Sequence, residues 1–99
     1  MPLQALYLMN DPFVREQAEG FARRLLAVSA DPLRRIELAH QLAWSRPANP
    51  AEVERGLRYV GEYRKGLCQA GAPAERLELE AWTSYCRVML CANEFVYLD

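Results

Sequence analysis

The chain has 99 residues, of which 52% are apolar and 25% are charged. This size and composition suit one globular domain, and they exclude both a second independent domain and an intrinsically disordered chain. A formal net charge of −1 gives no electrostatic reason to expect nucleic acid as a partner, and charged side chains interrupt every apolar stretch before it is long enough to span a membrane.

Three corners of the sequence pair an Asp or Asn with a proline, and each precedes a stretch with helical periodicity. They are Asp11-Pro12, Asp31-Pro32 and Asn49-Pro50. The side-chain oxygen of such a residue caps a helix, and proline is well tolerated in the first turn. The spacing of apolar residues then predicts helices over about residues 12–28 and 32–45, and a third helix that fades near Gly71.

Apolar residues at helical spacing define the faces that we expect to be buried. They are Val14, Ala18, Phe21, Leu25 and Val28 in the first helix, with Phe13, Ala22 and Leu26 widening that stripe, Leu33, Ile36, Ala39, Leu42 and Ala43 in the second, and Val53, Leu57, Val60 and Leu67 in the third. The third helix also contains Gly56, Gly61 and Gly66, each of which weakens a helix by about 1 kcal/mol relative to alanine. We expect this repetition to mark close approach by a neighbouring helix.

Pro73 opens the last predicted helix, which is the most apolar and which we expect to lie at the centre of the fold, with Trp82 on its buried face. Residues 2–9 predict a short leading helix. The only candidate strand, residues 95–98, is too short to build a sheet. The sequence therefore predicts an all-α protein, a compact bundle of four or five helices with short connections, forming a single domain over residues 1–99.

Few residues suggest chemistry. Glu37 and His40 stand at the i, i+3 spacing of di-iron bundles, but His40 is the only histidine, so one chain cannot complete such a site. The odd set of Cys68, Cys86 and Cys91 forms no C-x-x-C pair, and we interpret these cysteines as small core or boundary residues. A disulfide from Cys68 to one of the other two stays open. We expect no catalytic residue, no metal and no cofactor in this chain.

Two groups of residues are candidates for interaction. Arg23, Arg24, Arg34 and Arg35 flank the first helix connection, where they could bind a phosphate or an acidic partner. Interleaved glutamates favour the alternative of a solvated, salt-bridged face. Trp44 ends the second helix beside Arg46, where a large ring exposed to another domain would make an anchor.

Three segments carry a resemblance to a known family: PLQALYLMNDPFV at residues 2–14, SRPANPAE at 45–52 and NEFVYLD at 93–99. Together they resemble the C-terminal part of the planctomycete secreted-protein domain of unknown function that follows cytochrome-c-like domains in large exported proteins. The resemblance implies an extracytoplasmic setting, upstream haem-bearing domains as partners, and no known activity.

Three positions depart from the family pattern. Met1 stands where a threonine is usual, which leads us to expect a C-terminal fragment of a longer multidomain chain, and no signal peptide is recognisable. Cys91 replaces an asparagine and His40 replaces an aromatic residue, which weakens any catalytic or metal-binding role there. In the last segment we expect a structural role, in which four residues close the last helix and anchor the tail. They are Asn93, Glu94, Phe95 and Tyr97.

The functional hypothesis is a non-catalytic helical module that mediates interdomain or protein–protein contacts in a large secreted, cytochrome-associated protein. The alternative is an accessory part of a hydrolytic or redox active site that other domains complete, to which Glu37, His40 or the tail carboxylates would contribute. A self-associating bundle is the third possibility.

Overall fold

The computed structural model describes residues 9–98, and it describes side chains as far as residue 92. This part of the chain forms four helices: α1 over Pro12–Val28, α2 over Pro32–Trp44, α3 over Pro50–Gln69 and α4 over Ala74–Leu98. The connections are short, and the radius of gyration of 13.1 Å is that of a compact domain of about 100 residues. The prediction of a compact all-α bundle is confirmed.

The three Asp/Asn-Pro corners start helices as predicted. Asp11 accepts a hydrogen bond from the Phe13 amide at 2.7 Å, and Asp31 accepts one from the Leu33 amide at 3.0 Å. Asn49 caps α3, and each cap is followed by proline in the first turn. The predicted beginnings of α1, α2 and α3 are therefore confirmed to the residue.

The core forms around α4, which packs mainly against α1 and α3. Trp82 and Cys86 of α4 are fully buried, together with Leu25 of α1 and Ile36 of α2. The central position predicted for the most apolar helix is confirmed. Because α2 is short and contacts all three other helices, it supplies a corner of the core rather than a full layer.

Five residues that we predicted on buried faces are exposed. Phe13 is 66% exposed, Val28 67%, Leu33 42%, Leu42 41% and Leu57 37%. Leu33 and Leu42 are nine residues apart, which at 100° per residue places them on opposite sides of α2, so one inward face cannot hold both. Val28 ends its helix at the edge of the bundle. The apolar face of each helix in the sequence is therefore wider than the face that the neighbouring helices cover.

Close packing explains only one of the three α3 glycines. A Cβ atom at Gly56 would lie 2.6 Å from the Ile36 Cδ1 atom and 3.1 Å from the Tyr85 hydroxyl oxygen. No atom of the described residues lies within 4 Å of a Cβ atom at Gly61 or Gly66. The prediction of a close helix approach is correct at Gly56 and wrong at the other two.

The two ends of the chain test fewer predictions. Helix α4 continues to Leu98, past Asn93, where we predicted its end, because no proline or glycine interrupts residues 93–98. The same continuation removes the candidate strand. The side chains of 93–99, and with them the predicted tail anchor, lie outside the described residues, as do residues 2–8 of the leading helix predicted over residues 2–9. None of the described helices is long and apolar enough to cross a membrane.

Candidate functional site

The site begins with a cleft of about 210 Å³ between α2, α3 and α4. Its lining combines apolar and aromatic side chains with a few polar groups that converge from three helices, which is the usual composition of a ligand pocket. The lining residues are His40, Trp44, Glu52, Arg55, Gly56, Tyr59, Tyr85, Val88, Met89 and Ala92.

His40 is the buried polar group of α2 in this cleft, with 3% of its surface exposed. Its Nδ1 atom lies 2.9 Å from the Ile36 carbonyl oxygen one turn earlier, and its Nε2 atom lies 3.8 Å from Oε2 of Glu52. The edge of its ring meets the Trp44 ring, with 5.0 Å between centroids. In the neutral imidazole, Nδ1–H donates to the carbonyl oxygen and leaves Nε2 as an acceptor.

Glu52 joins the cap of α3 to the cleft. Its carboxylate accepts two hydrogen bonds from Arg46, at 2.8 and 2.6 Å, and one from the Asn49 amide at 3.0 Å. In return, the Asn49 side chain accepts from the Glu52 amide at 2.8 Å, which completes a capping box. The hydrogen bonds from Arg46, followed by the one from Asn49, lower the pKa of Glu52 to about 2. Glu52 is therefore ionised throughout the physiological range.

Two tyrosines of the cleft have different hydrogen-bonding states. The Tyr59 hydroxyl lies 2.6 Å from the Ser84 hydroxyl oxygen. The Tyr85 hydroxyl lies against Gly56 and makes no hydrogen bond to any residue that the structure describes. Burial, with smaller contributions from Cys86 and Glu52, raises the pKa of Tyr85 well above 10. Tyr85 therefore stays protonated and keeps an O–H donor in the cleft.

These groups are better suited to binding than to covalent chemistry. Glu52 is locked as a carboxylate by three hydrogen bonds, so it is a poor proton donor. Burial raises the pKa of the nearby Cys86 thiol to about 12, which suppresses the thiolate. In the described part of the chain, no group of three or more His, Cys, Asp or Glu residues is arranged to hold a metal ion.

The predicted four-arginine corner is divided among separate partners. Arg23 pairs with Glu19 at 3.5 Å, and Arg34 pairs with Glu37 at 3.4 Å. Arg24 lines a groove of about 520 Å³ along α1.

Arg35 differs from the other arginines because it is buried. It donates to the Ser29 carbonyl at 2.6 Å and to Glu78 at 3.0 Å, and its guanidinium lies 5.4 Å from the centroid of the Trp82 ring. Glu78 also pairs with Arg64. Arg35 therefore acts inside the fold, where it ties the α1–α2 connection to α4.

Trp44, the aromatic anchor that the sequence suggests, is half-buried and lies beside Arg46. The Arg46 guanidinium lies 5.2 Å from the centroid of the Trp44 ring. The half-buried Trp44 ring lies between this guanidinium and the His40 ring. The pair closes the α2–α3 corner beside the cleft.

Sequence reasoning missed the carboxylate partner of His40. Glu37 is exposed and contacts Arg34, whereas Glu52, from the next helix, approaches His40. The Asn49-x-x-Glu52 spacing is a readable capping-box signal that would have located Glu52. No local sequence pattern predicts that Tyr85 lies against Gly56, because this contact depends on how α4 crosses α3.

Comparison with known proteins assigns the chain to a family. The family described as "PSD1: Protein of unknown function (DUF1553)" matches residues 1–60. The chain belongs to this family. The DUF1553 match spans α1, α2 and the first half of α3, and it includes both the SRPANPAE corner and Glu52. No curated protein and no solved structure matched the chain.

Proposed function

We propose that this chain is a non-catalytic helical module that packs against another domain of a larger protein. One observation carries the proposal: the exposed large apolar side chains of the described residues all lie within residues 1–60, the span of the family match. They are Phe13, Val28, Leu33, Leu42 and Leu57. Apolar exposure of this kind is typical of interaction surfaces when it is contiguous.

Helix α1 supplies two of these side chains, one near each end of the same side, with the polar Gln17 and Arg24 between them. Phe13 and Val28 are 66% and 67% exposed, and helical geometry places them on one side together with Gln17, Gly20 and Arg24. The α1 stripe, defined by these five residues, is about 22 Å long at 1.5 Å per residue. Among the residues that the structure describes, no atom lies within 4 Å of a Cβ atom at Gly20, which leaves the α1 backbone there open to a partner.

A groove runs beside the α1 stripe. Phe21 of α1, Leu42 and Ala43 of α2 and Leu90 of α4 form its apolar wall, and it encloses about 520 Å³. Glu16, Gln17 and Arg24 supply the polar groups at this groove, so it carries both an acidic and a basic side chain. An apolar centre with an arginine at its edge matches the composition of protein–protein interfaces. The groove and the stripe together form the proposed docking surface.

The identity of the partner rests on the resemblance of the three sequence segments. We propose an extracytoplasmic protein in which an upstream haem-bearing domain occupies the docking surface. Arg23, Arg34 and Arg46 remain candidates for the polar rim because their side chains are at least 46% exposed. Arg35 is not part of the proposed surface, because it is buried among its own partners.

The rival proposal, an accessory part of an active site, has less support. Among its expected contributors, Glu37 is exposed and paired with Arg34. Glu52 approaches His40 but has a lowered pKa, the opposite of what a general acid needs.

Calorimetric titration with the upstream domains tests the docking proposal, with Phe13→Ala and Val28→Ala as variants of the stripe. We expect each to weaken binding at least about fivefold, because interface anchors contribute more than 1 kcal/mol. Leu57→Ala removes an exposed leucine of α3 that belongs to neither the groove nor the stripe, so it is the matched control and should bind as the wild type does. Equal affinity of all four chains would contradict the proposed surface, and light scattering would detect self-association instead.

A further inference from the structure

We propose that the docking surface on α1 binds a single amphipathic helix of the partner, which lies antiparallel to α1 with a basic residue beside Glu16 and an acidic residue beside Arg24. This inference rests on the proposed function and adds the kind of element that docks, its direction and its charges. It comes from the charges that the groove leaves unpaired, from the shape of the groove and from the direction of α1.

The groove beside the α1 stripe contains two unpaired charges of opposite sign. Glu16 and Arg24 both line the groove, and neither forms an ion pair with any residue that the structure describes. Their neighbours Glu19 and Arg23 do not line this groove and pair with each other at 3.5 Å. Glu16 and Arg24 are therefore available to the charges of a partner.

The two unpaired charges are separated by about two turns of α1. Eight residues lie from Glu16 to Arg24, which is about 12 Å along a helix at 1.5 Å per residue. Phe21 lies between them in the sequence, and Leu42 of α2 and Leu90 of α4 are part of the same apolar wall. A complementary partner therefore needs apolar residues together with two opposite charges about 12 Å apart.

A helix fits this groove better than an extended segment does. A segment that covers an apolar wall has to pair its own backbone N–H and C=O groups. The described part of the chain is built from helices and offers no sheet edge with which an extended segment could pair. A helix pairs its backbone groups internally, and an amphipathic helix in an apolar groove is a common mode of recognition.

Gly20 lies midway between the two charges and leaves room for a close helix approach. It lines the same groove, and no atom of the described residues lies within 4 Å of a Cβ atom placed there. Gly61 and Gly66 are equally open but lie outside this groove. Because side chains at the contact set the distance between packed helices, a glycine at this point allows a short one.

The direction of α1 decides the direction of the partner helix. Glu16 is near the N-terminal end of α1, and Arg24 is near the C-terminal end. Helices are stabilised by acidic residues near their N-terminus and basic residues near their C-terminus. A partner helix of this kind, antiparallel to α1, places its basic end beside Glu16 and its acidic end beside Arg24. The parallel arrangement would place like charges together.

The test is an NMR titration of the chain with a synthetic helical peptide of about 15 residues, the length of the α1 stripe. The peptide has a leucine and alanine face, glutamates in its first turn and lysines in its last turn. A hydrocarbon staple on the opposite face keeps it helical, and a nitroxide is attached to its N-terminus. We expect saturable binding with a Kd below about 1 mM. The nitroxide should broaden the amide signals near Val28 more strongly than those near Phe13.

Two charge exchanges separate the groove charges from the other charges of α1. Glu16→Arg combined with Arg24→Glu keeps the net charge and reverses the order of the groove charges, so the stronger broadening should move to the signals near Phe13. Glu19→Arg combined with Arg23→Glu exchanges the paired charges outside the groove and should leave the broadening as in the wild type. All four positions are exposed, so both exchanges leave the core unchanged.

The upstream domains distinguish a failure of this inference from a failure of the proposed function. In calorimetry with those domains, the exchange at Glu16 and Arg24 should weaken binding about threefold to tenfold, and the exchange at Glu19 and Arg23 should not. Equal affinity for both exchanged chains, equal broadening at both ends of α1, or no saturable peptide binding would each overturn the inference without removing a docking role for Phe13 and Val28. Domains that bind none of these chains, with the peptide oriented as stated, would overturn the proposed function and leave the preference of the groove for such a helix in place.

Discussion

Replacing Gly56 with alanine adds a methyl group where α3 meets two buried side chains. The new Cβ atom would lie 2.6 Å from Ile36 Cδ1 and 3.1 Å from the Tyr85 hydroxyl oxygen. Ile36 is fully buried, so its terminal methyl can move only into a filled core. Helix propensity acts in the opposite direction, because alanine inside a helix is about 1 kcal/mol more favourable than glycine.

Gly61→Ala is the matched control, because Gly61 lies in the same helix and no atom in the described part of the chain lies within 4 Å of its Cβ position. The propensity gain cancels between the two variants, and the difference in their free energies of unfolding isolates the packing cost. We expect Gly61→Ala to be more stable than the wild type by about 1 kcal/mol, and Gly56→Ala to be about 1–3 kcal/mol less stable than Gly61→Ala. Urea unfolding measures both, and equal stability of the two variants would refute the close approach at Gly56.

Three further predictions concern charge and thiol reactivity. Glu52→Gln removes a carboxylate whose pKa is lowered from 4.5 to about 2. The ionised carboxylate stabilises the fold above pH 4.5, and this contribution is lost as the pH falls towards 2. Urea unfolding should therefore show that the difference in free energy of unfolding between wild type and variant becomes smaller in acid, and a constant difference would contradict this. Arg35→Ala should lower the free energy of unfolding by about 2–3 kcal/mol, whereas Arg34→Ala, at an exposed position, should lower it by less than about 0.5 kcal/mol. Equal melting temperatures of the two variants would contradict this. Cys68 is exposed and should react with a thiol reagent in the native chain. Cys86 is buried, and its pKa is raised to about 12, so it should react only when the chain unfolds. Equal reaction rates of the two cysteines would argue against the burial of Cys86.

The sequence was sufficient to predict the helices and where they start. The caps at Asp11, Asp31 and Asn49 act on amides within three residues of themselves, so their effect is readable without knowledge of the fold. Burial was less predictable. Leu33 and Leu42 satisfy a helical spacing, but only the positions of α1 and α4 decide which side of α2 is covered.

The cleft was harder to predict than the fold because its contacts join different helices. His40 reaches its carboxylate neighbour across the α2–α3 corner, and the local spacing pointed to Glu37 instead. The three glycines of α3 look equivalent in sequence, and only the packing of Ile36 and Tyr85 singles out Gly56.

The most direct test of the proposed function is calorimetric titration of the wild-type chain with the upstream domains of its longer protein, with light scattering on the isolated chain. The account predicts a monomeric chain in isolation and saturable heat on mixing. A monomeric chain that gives no heat with those domains would contradict a docking role, and a chain that scatters as a symmetric oligomer would assign the apolar surface of α1 to self-association.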